Sequence, residues 1–265
     1  MVEDEYPERH STHYMHVEGR TVQLLARFEG IHGRIFVIEE KATGARRYYE
    51  GGSFQSHAWR SGESCFTYVH LMKALLQPAR DVLVLGCAGG TLATMLHRQG
   101  KSVTVIDRNP LSFMLAREYF WMPSDVRCIA ADFKDFITYN RDCFDAIAVD
   151  VGGPGFDYVA EFDEMTCRSL HDRLGHSGRI AMNVLIEYGM DLLPDIAGKR
   201  LAGSGLRTWI IDEVVREPDR NAVIACVPEG YLDIQWQILP DAVAIDAARW
   251  LVRRSHLENA DKYAR

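Results

Sequence analysis

The spacing of apolar and polar residues divides the chain into two parts near residue 62. In the first part, short runs typical of β-strands occupy residues 22–28, 33–40 and 46–50. Gly44 lies between the second and third runs, in a loop that suits a hairpin with a positive φ at the glycine. The pattern predicts an antiparallel β-region over residues 21–62, preceded by a polar and flexible arm over residues 1–20.

The second part alternates buried-type strands with segments of helical spacing. Short apolar runs suit parallel strands that are covered on both faces, and five such runs follow in order, at residues 82–85, 103–107, 126–131, 144–149 and 179–185. Helical spacing is found at residues 66–76, 161–174 and 192–202, and a closing antiparallel pair of strands is predicted at 207–215 and 221–227. We therefore predict an α/β fold with a doubly wound, Rossmann-like sheet over residues 63–230 and a helical extension over residues 231–265.

A glycine-rich turn follows the first of these buried strands. It reads Gly86-Cys-Ala-Gly-Gly-Thr, and its glycines permit positive φ and let a ligand approach the backbone closely. Asp107 ends the next strand, about 20 residues on, where an acid can accept hydrogen bonds from ribose hydroxyls. Asp132 and Asp150 end the following two strands, at the edge where open α/β sheets bind ligands. Together these features predict a nucleoside-binding crevice.

A dinucleotide site is the first alternative for this crevice. That site carries Gly-x-Gly-x-x-Gly, whereas here Ala88 takes the second glycine position and Thr91 the third. The turn therefore favours an S-adenosylmethionine-type pocket. A nucleotide-dependent oxidoreductase is the weaker hypothesis.

Residues 33–227 resemble the spermidine synthase family, and in particular its bacterial spermidine-synthase-like branch with a class I methyltransferase fold. The glycine turn resembles Gly-x-Gly-Gly-Gly-Ser-Leu, Asp107-Arg-Asn-Pro110 resembles Glu-x-Asp-Pro, and Ala131-Asp132 resembles a Gly-Asp pair. Residues 144–150 resemble the segment with the catalytic aspartate. Residues 52–55 and 67–68 are similar to segments that supply a glutamine and a tyrosine. The resemblance implies a seven-stranded methyltransferase sheet and a homodimer.

The resemblance also implies roles for individual residues. Asp150 would be catalytic and would orient or deprotonate an acceptor amine, with Tyr68 beside it. Asp107 would hold the ribose, and Asp132 the adenine, of S-adenosylmethionine or decarboxylated S-adenosylmethionine; helix capping is the alternative role for both acids. The other residues assigned to donor binding are Gln55, Gly86, Ala88, Gly89 and Gly90.

Two departures from the family pattern concern the acceptor. The glycine turn lacks the acid that aminopropyltransferases carry there, and Gly153 stands where a second aspartate would hold a polyamine. An ammonium group buried without a carboxylate is costly to desolvate. The sequence therefore favours transfer of a methyl, aminopropyl or 3-amino-3-carboxypropyl group to a small amine-bearing acceptor, outside standard spermidine synthesis. A true aminopropyltransferase (polyamine synthase) and a catalytically idle nucleoside-binding domain are the alternatives.

Composition narrows the remaining function classes. The net charge of −7 provides no general attraction to nucleic acid. We expect no membrane span, because no apolar run reaches about 18 residues, and no signal peptide, because the acidic N-terminus lacks an apolar segment. The six cysteines have no Cys-x-x-Cys spacing, which is typical of a reduced cytoplasmic protein. We predict no metal site, because His10, His13 and His16 lie in the polar arm.

Three further features carry secondary hypotheses. Cys87, inside the glycine turn, is either a thiol beside the donor or a tolerated small side chain. His70, near the start of a predicted helix, is a candidate base at neutral pH. Residues 151–156, which contain three glycines and Pro154, are predicted to form a mobile lid over the acceptor.

Overall fold

A computed structural model describes residues 14–17, 19–202, 206–213, 219–228 and 232–255. These residues form a five-stranded sheet at the N-terminal end and an eight-stranded sheet flanked by helices. In the part of the chain that the structure describes, no helix is long and apolar enough to cross a membrane.

The N-terminal sheet is antiparallel throughout and follows chain order. Its strands are β1 (Tyr14–Val17), β2 (Arg20–Gly30), β3 (Gly33–Glu40), β4 (Arg46–Glu50) and β5 (Ser53–Ala58). Gly44 has a φ of 68° in the β3–β4 turn, which confirms the predicted hairpin geometry. Residues 14–17, which the sequence analysis assigns to a flexible arm, instead pair with β2 as an edge strand. Residues 1–13, with His10 and His13, lie outside the described residues.

The second sheet is built from alternating strands and helices. Its strands are β6 (Asp81–Leu85), β7 (Ser102–Asp107), β8 (Arg127–Ala130), β9 (Phe144–Val149), β10 (Leu174–Ile186), β11 (Arg207–Glu213), β12 (Arg220–Val227) and β13 (Trp250–Arg253). The helices are α1 (Thr67–Leu75), α2 (Thr91–His97), α3 (Pro110–Tyr119), α4 (Phe133–Tyr139), α5 (Tyr158–Glu161), α6 (Glu164–Asp172), α7 (Leu193–Ala202) and α8 (Asp241–Ala247).

The strand order is β13-β11-β12-β10-β9-β6-β7-β8. Five adjacent strands run parallel, in the order β10, β9, β6, β7 and β8. Strand β12 pairs with β10 in the antiparallel direction. Strand β6 lies between β7 and β9 and is parallel to both. The carboxyl ends of these three strands therefore lie next to one another at one edge of the sheet. This arrangement confirms the predicted doubly wound sheet and its closing antiparallel pair.

The prediction of seven strands is wrong, because β13 pairs with β11 and makes an eighth. This strand lies in residues 231–265, which the sequence analysis predicts to be helical. A run of four residues is too short to show a strand period, so the helical spacing of the adjoining α8 dominated the prediction. Helix α8 packs on the core beside α1 through Val243 and Ala247, and the hydroxyl of Thr67 donates to the carboxylate of Asp246.

The N-terminal sheet covers the carboxyl edge of the second sheet. Ile35 and Tyr48 of the N-terminal sheet share an apolar cluster with Leu115 and Phe120, which belong to α3 and its end. The hydroxyl of Ser56 in β5 accepts a hydrogen bond of 3.0 Å from the amide of Gly89. As a result, β4 and β5 stand directly over the glycine turn and close one side of the crevice.

Candidate active site

The glycine turn is held between two strands by close backbone packing. Gly86 has a φ of 96°, and a Cβ at this position would lie 2.1 Å from the carbonyl oxygen of Asp150. That separation is far inside van der Waals contact, so only glycine fits. Gly89 is also closely packed, because its Cβ would lie 2.8 Å from the Cβ of Ser56. The turn therefore fixes the distance between the ends of β6 and β9.

Ala88 adopts a left-handed conformation with a φ of 46°, which is unusual for a residue with a side chain. This conformation costs about 1–2 kcal/mol in an ordinary residue. In this conformation the backbone amides of Cys87 and Ala88 are directed at Asp107.

Asp107 joins the end of β7 to the glycine turn. One carboxylate oxygen accepts from the amide of Cys87 and the other from the amide of Asn109, each at 2.8 Å. Burial raises the pKa of Asp107, while these amide hydrogen bonds oppose the rise. A carboxylate has about four acceptor positions, so Asp107 keeps capacity for a hydroxyl group of a ligand.

Asp132 begins α4 as its N-cap. Its Oδ1 accepts from the amides of Lys134 and Asp135, at 2.8 and 3.4 Å. Its Oδ2 lies 3.7 Å from a guanidinium nitrogen of Arg108. Helix capping, the alternative role considered for this acid, is therefore present, and the carboxylate lines a cavity at the same time.

Two cavities open along this edge of the sheet. The Asp107 cavity, of about 630 Å³, is lined by residues that include His32, Glu50, Gly86, Ala88, Asp107 and Asp132. The Tyr68 cavity, of about 480 Å³, is lined by residues that include Tyr68, Gly90, Tyr158, Asn183, Glu187 and Asp219. Gln55, the turn residues 86–88 and residues 150–154 line both cavities.

Asp150 lies where the two cavities meet. Its amide donates to the carbonyl of Leu85 at 2.8 Å, which extends the β6–β9 pairing by one residue. Its Oδ1 accepts from Nδ2 of Asn183 at 3.0 Å. Burial raises the pKa of Asp150 to about 6, and the hydrogen bond from Asn183 opposes this rise. The carboxyl group is thus suited to exchange a proton near neutral pH.

Tyr68 is buried beside Asp150 at the start of α1. Its side chain is 8% exposed, and its ring stacks on Phe66 with 5.8 Å between the ring centres. Burial, Asp150 and Tyr158 all raise the pKa of Tyr68, so its hydroxyl group stays protonated. It is available as a hydrogen-bond donor in the wall of the Tyr68 cavity.

The predicted site residues do not all face the cavities. Gln55 lines both, with Nε2 donating to the carbonyl of Glu50 at 3.3 Å. Gly86 and Ala88 also line both, and Gly90 lines the Tyr68 cavity. Gly89 lines neither cavity, because it is covered by β5. The sequence therefore located the turn correctly but did not separate its packing glycine from those at the cavity surface.

Cys87 and His70 have different surroundings. Cys87 lines both cavities, and burial together with Asp107 raises the pKa of its thiol well above the usual value, so the thiol is neutral. His70 is fully buried in α1, with Nε2 2.7 Å from the carbonyl oxygen of Ser64, and lines neither cavity. Burial lowers the pKa of His70. The structure thus contradicts the hypothesis that His70 is a base in the site.

Several residues that line the cavities were missed in the sequence. Glu50 is 3% exposed, accepts from the hydroxyl of Tyr48 at 2.9 Å and faces the Asp107 cavity. An acid among the aromatic residues of β4 was its only signal. Asn183 is a single polar residue in the apolar run of β10. Glu187 carries no sequence signal, because it reaches the site through chain folding.

The loop over residues 151–156 is held by a hydrogen bond at Gly155 and has few contacts at Gly153. The amide of Gly155 donates to Glu187 Oε2 at 3.1 Å. At Gly153 an added Cβ would meet only Nε2 of Gln55, at 3.9 Å, so this position has room for a side chain. Among the described residues, no group of three or more histidine, cysteine, aspartate or glutamate side chains could hold a metal ion.

Comparison with known proteins gives the same fold. A probable spermidine synthase from Corynebacterium glutamicum superimposes with a TM-score of 0.72, at 15% identity over 90% of this chain and 94% of that chain. A spermidine synthase in complex with the transition-state analogue AdoDATO gives 0.63, at 14% identity over 100% and 90% of the two chains. The spermidine synthase from Thermotoga maritima gives 0.62, at 14% identity over 93% and 94%.

Sequence comparison adds nothing to these structural matches. No family model matches the chain, and no curated protein matches it by sequence. At this level of identity the structural similarity defines the architecture only. The chain has the fold of spermidine synthases.

Proposed function

We propose that this protein is a spermidine-synthase-like transferase that moves an alkyl group from S-adenosylmethionine or its decarboxylated form to a small amine. The observation that carries the proposal is Asp150, a partly buried carboxyl group with a pKa raised to about 6 at the junction of two cavities. A group-transfer site needs two ligands in contact at one point and a group that handles a proton there.

The Asp107 cavity suits the nucleoside part of the donor. Its volume of about 630 Å³ lies within the usual range for small-ligand pockets. Asp107 has acceptor positions left for ribose hydroxyls, and Asp132 faces the same cavity as a candidate acceptor for an adenine amino group. The bound donor would supply a carbon made electrophilic by a neighbouring sulfonium.

The Tyr68 cavity suits an amine. Among the described residues that line it, Asp150, Glu187 and Asp219 are acidic, and none is lysine, arginine or histidine. A cationic ligand would therefore meet compensating charges on entry, whereas a carboxylate or phosphate would be repelled. Tyr68 adds a hydroxyl donor beside Asp150.

The residues at the junction account for the proton in the transfer. The nitrogen lone pair forms the new N–C bond, the C–S bond breaks, and its electron pair remains on sulfur. The nitrogen must also lose a proton, and Asp150 is placed to accept it or to orient the amine that carries it. Because sulfur in a sulfonium is already a good leaving group, alignment and desolvation in the two cavities provide the remainder of the catalysis.

We further propose that the reaction differs from standard spermidine synthesis. Gly153 offers no carboxylate where the family places a second aspartate, and the glycine turn has no acid. Because an added side chain at Gly153 meets little in the structure, a Gly153→Asp variant tests this point directly. It is expected to improve the use of diamines relative to monoamines without loss of stability.

Mass spectrometry of the nucleoside products tests the proposed function. The protein is incubated with each of the two sulfonium donors and a panel of amines. Methylthioadenosine reports aminopropyl or aminocarboxypropyl transfer, and S-adenosylhomocysteine reports methyl transfer. If a donor binds but neither product appears with any amine, the protein is an idle nucleoside-binding domain and the transferase proposal is wrong.

A further inference from the structure

Asn183 is a polar residue in an otherwise apolar strand, next to the proposed catalytic acid. Its neighbours Met182 and Val184 are fully buried, and Asn183 itself is 7% exposed. Met182 pairs with Val149 in the parallel β9–β10 ladder, so Asn183 and Asp150 each follow a paired residue at the carboxyl ends of adjacent strands. The fold therefore holds the two side chains together.

The amide of Asn183 uses only one of its two ends. Nδ2 donates to Oδ1 of Asp150 at 3.0 Å, which fixes the orientation of the amide as long as Asp150 is ionised. Oδ1 is buried and has no hydrogen-bond partner among the described residues. An unpaired buried oxygen costs about 1–3 kcal/mol, so its retention beside the site indicates a partner that arrives with a ligand.

We propose that Asn183 is an acceptor-positioning residue that binds one N–H of the amine through Oδ1 and holds Asp150 through Nδ2. This inference rests on the proposed function. The carboxylate of Asp150 binds a second N–H of the same nitrogen. The two oxygens then hold both hydrogens of a neutral –NH₂ group.

This arrangement selects the substrate class. In a primary amine, two N–H groups directed to Asn183 and Asp150 leave the lone pair free to attack the donor carbon. The new C–N bond forms as the C–S bond breaks, and the product nitrogen then gives its extra proton to Asp150. A secondary amine has a single N–H and leaves one of the two oxygens unpaired. Primary amines are therefore the expected acceptors.

Two variants separate the two ends of the amide. Asn183→Leu removes both the donor and the acceptor in a side chain of similar size. Asn183→Asp keeps an oxygen for the amine but replaces the N–H donor with a second acid. Asn221, which also lines the Tyr68 cavity, provides a matched control for cavity polarity as Asn221→Leu.

The first readout is the ratio of kcat/KM for a primary amine to that for its N-methyl derivative. Asn183→Leu is expected to lower this ratio about tenfold or more, since discrimination against an unpaired buried group is lost. Asn183→Asp and Asn221→Leu should keep the ratio near that of the wild-type protein. A ratio that Asn183→Leu leaves unchanged would overturn the inference.

The second readout needs no turnover. The Asp150 carboxyl group is titrated by ¹³C NMR in the ligand-free protein. Burial raises the pKa values of Tyr68, Tyr158 and Cys87, so these side chains stay protonated in this range. Glu187 and Asp219 are the other acids that line the Tyr68 cavity with Asp150. Asn183→Leu removes the N–H that lowers the pKa of Asp150, and Asn183→Asp places a like charge beside it. Both variants should therefore titrate at higher pH than the wild-type protein and Asn221→Leu.

The outcomes separate this inference from the proposed function. If the wild-type protein transfers no group to any amine, the proposed function is wrong, and the substrate part of the inference is wrong with it. If the wild-type protein is active but Asn183→Leu leaves the amine ratio or the Asp150 titration unchanged, only the inference is wrong.

Discussion

The two cavities that meet at Asp150 are built in different ways. The Asp107 cavity is formed largely by strand ends and the turn between them, where backbone hydrogen bonds fix each acid. The Tyr68 cavity is lined by β5, the start of α1, the end of β10 and the start of β12, and it shares the turn residues 86–88 and the loop residues 151–154 with the Asp107 cavity. Its polar residues come from distant parts of the chain.

The turn and the loop that both cavities share tolerate change differently. Gly86, in the turn, cannot accept a Cβ without striking the backbone of Asp150. Gly153, in the loop, has open space around it. The turn is therefore constrained by the fold, whereas the loop is free to vary in charge and shape.

The largest effect is expected at the junction of the two cavities. Asp150→Asn removes the proton acceptor but keeps the size and one hydrogen-bond acceptor for Asn183. We expect kcat to fall by about 10³-fold, within the usual range for general-base catalysis, while donor affinity changes little. Steady-state kinetics with calorimetric donor titration measures both, and unchanged turnover would contradict the role of Asp150.

The contrast between the glycines gives the next largest effect. Gly86→Ala forces a Cβ against the carbonyl of Asp150 at a positive φ and should destabilise the protein by about 3 kcal/mol or more. Gly153→Ala is the matched control and should stay within about 0.5 kcal/mol of the wild-type protein. Urea unfolding measures both, and equal destabilisation would contradict the difference between the turn and the loop.

A stability cost at Asp150 accompanies its proposed role. Its pKa is raised from 3.8 to about 6 in the folded protein, so the folded state binds more protons than the unfolded state between these values. The free energy of unfolding therefore falls as pH rises through this window, by about 3 kcal/mol. Asp150→Asn should be about 3 kcal/mol more stable than the wild-type protein near pH 7. Below about pH 4 the two proteins should be equally stable.

Urea unfolding at several pH values measures this dependence. Asp145 is an exposed acid whose pKa is lowered by the amides of Asp81 and Arg80, so Asp145→Asn is a control of opposite sign. If the difference in unfolding free energy between Asp150→Asn and the wild-type protein does not change with pH, the pKa of Asp150 is not raised in the folded protein.

The smallest effect concerns Asp107, the proposed ribose ligand. Asp107→Asn keeps an oxygen for one turn amide but loses charge and acceptor positions. We expect the affinity for nucleoside donors to fall about tenfold, as for one lost hydrogen bond to a charged group. Calorimetric titration measures this change, and the affinity for the amine should stay the same. A variant that binds the donor as tightly as the wild-type protein would remove Asp107 from the site.

The sequence predicted the Asp107 cavity better than the Tyr68 cavity for a physical reason. A strand, a glycine turn and an acid about 20 residues later are local features, so their geometry follows from spacing alone. Asn183 and Glu187 meet Asp150 through strand pairing and a loop contact, which spacing along the chain does not reveal. Strand β13 was missed because four residues carry too little pattern.

We propose that the Asp107 cavity binds a nucleoside sulfonium or its product. Isothermal titration calorimetry of the wild-type protein with S-adenosylmethionine, decarboxylated S-adenosylmethionine and methylthioadenosine, with NAD as the comparison, is the decisive experiment. We expect one binding site per chain for at least one of the three, with no comparable binding of NAD. Tight binding of NAD alone, or no binding of any of the three, would contradict it.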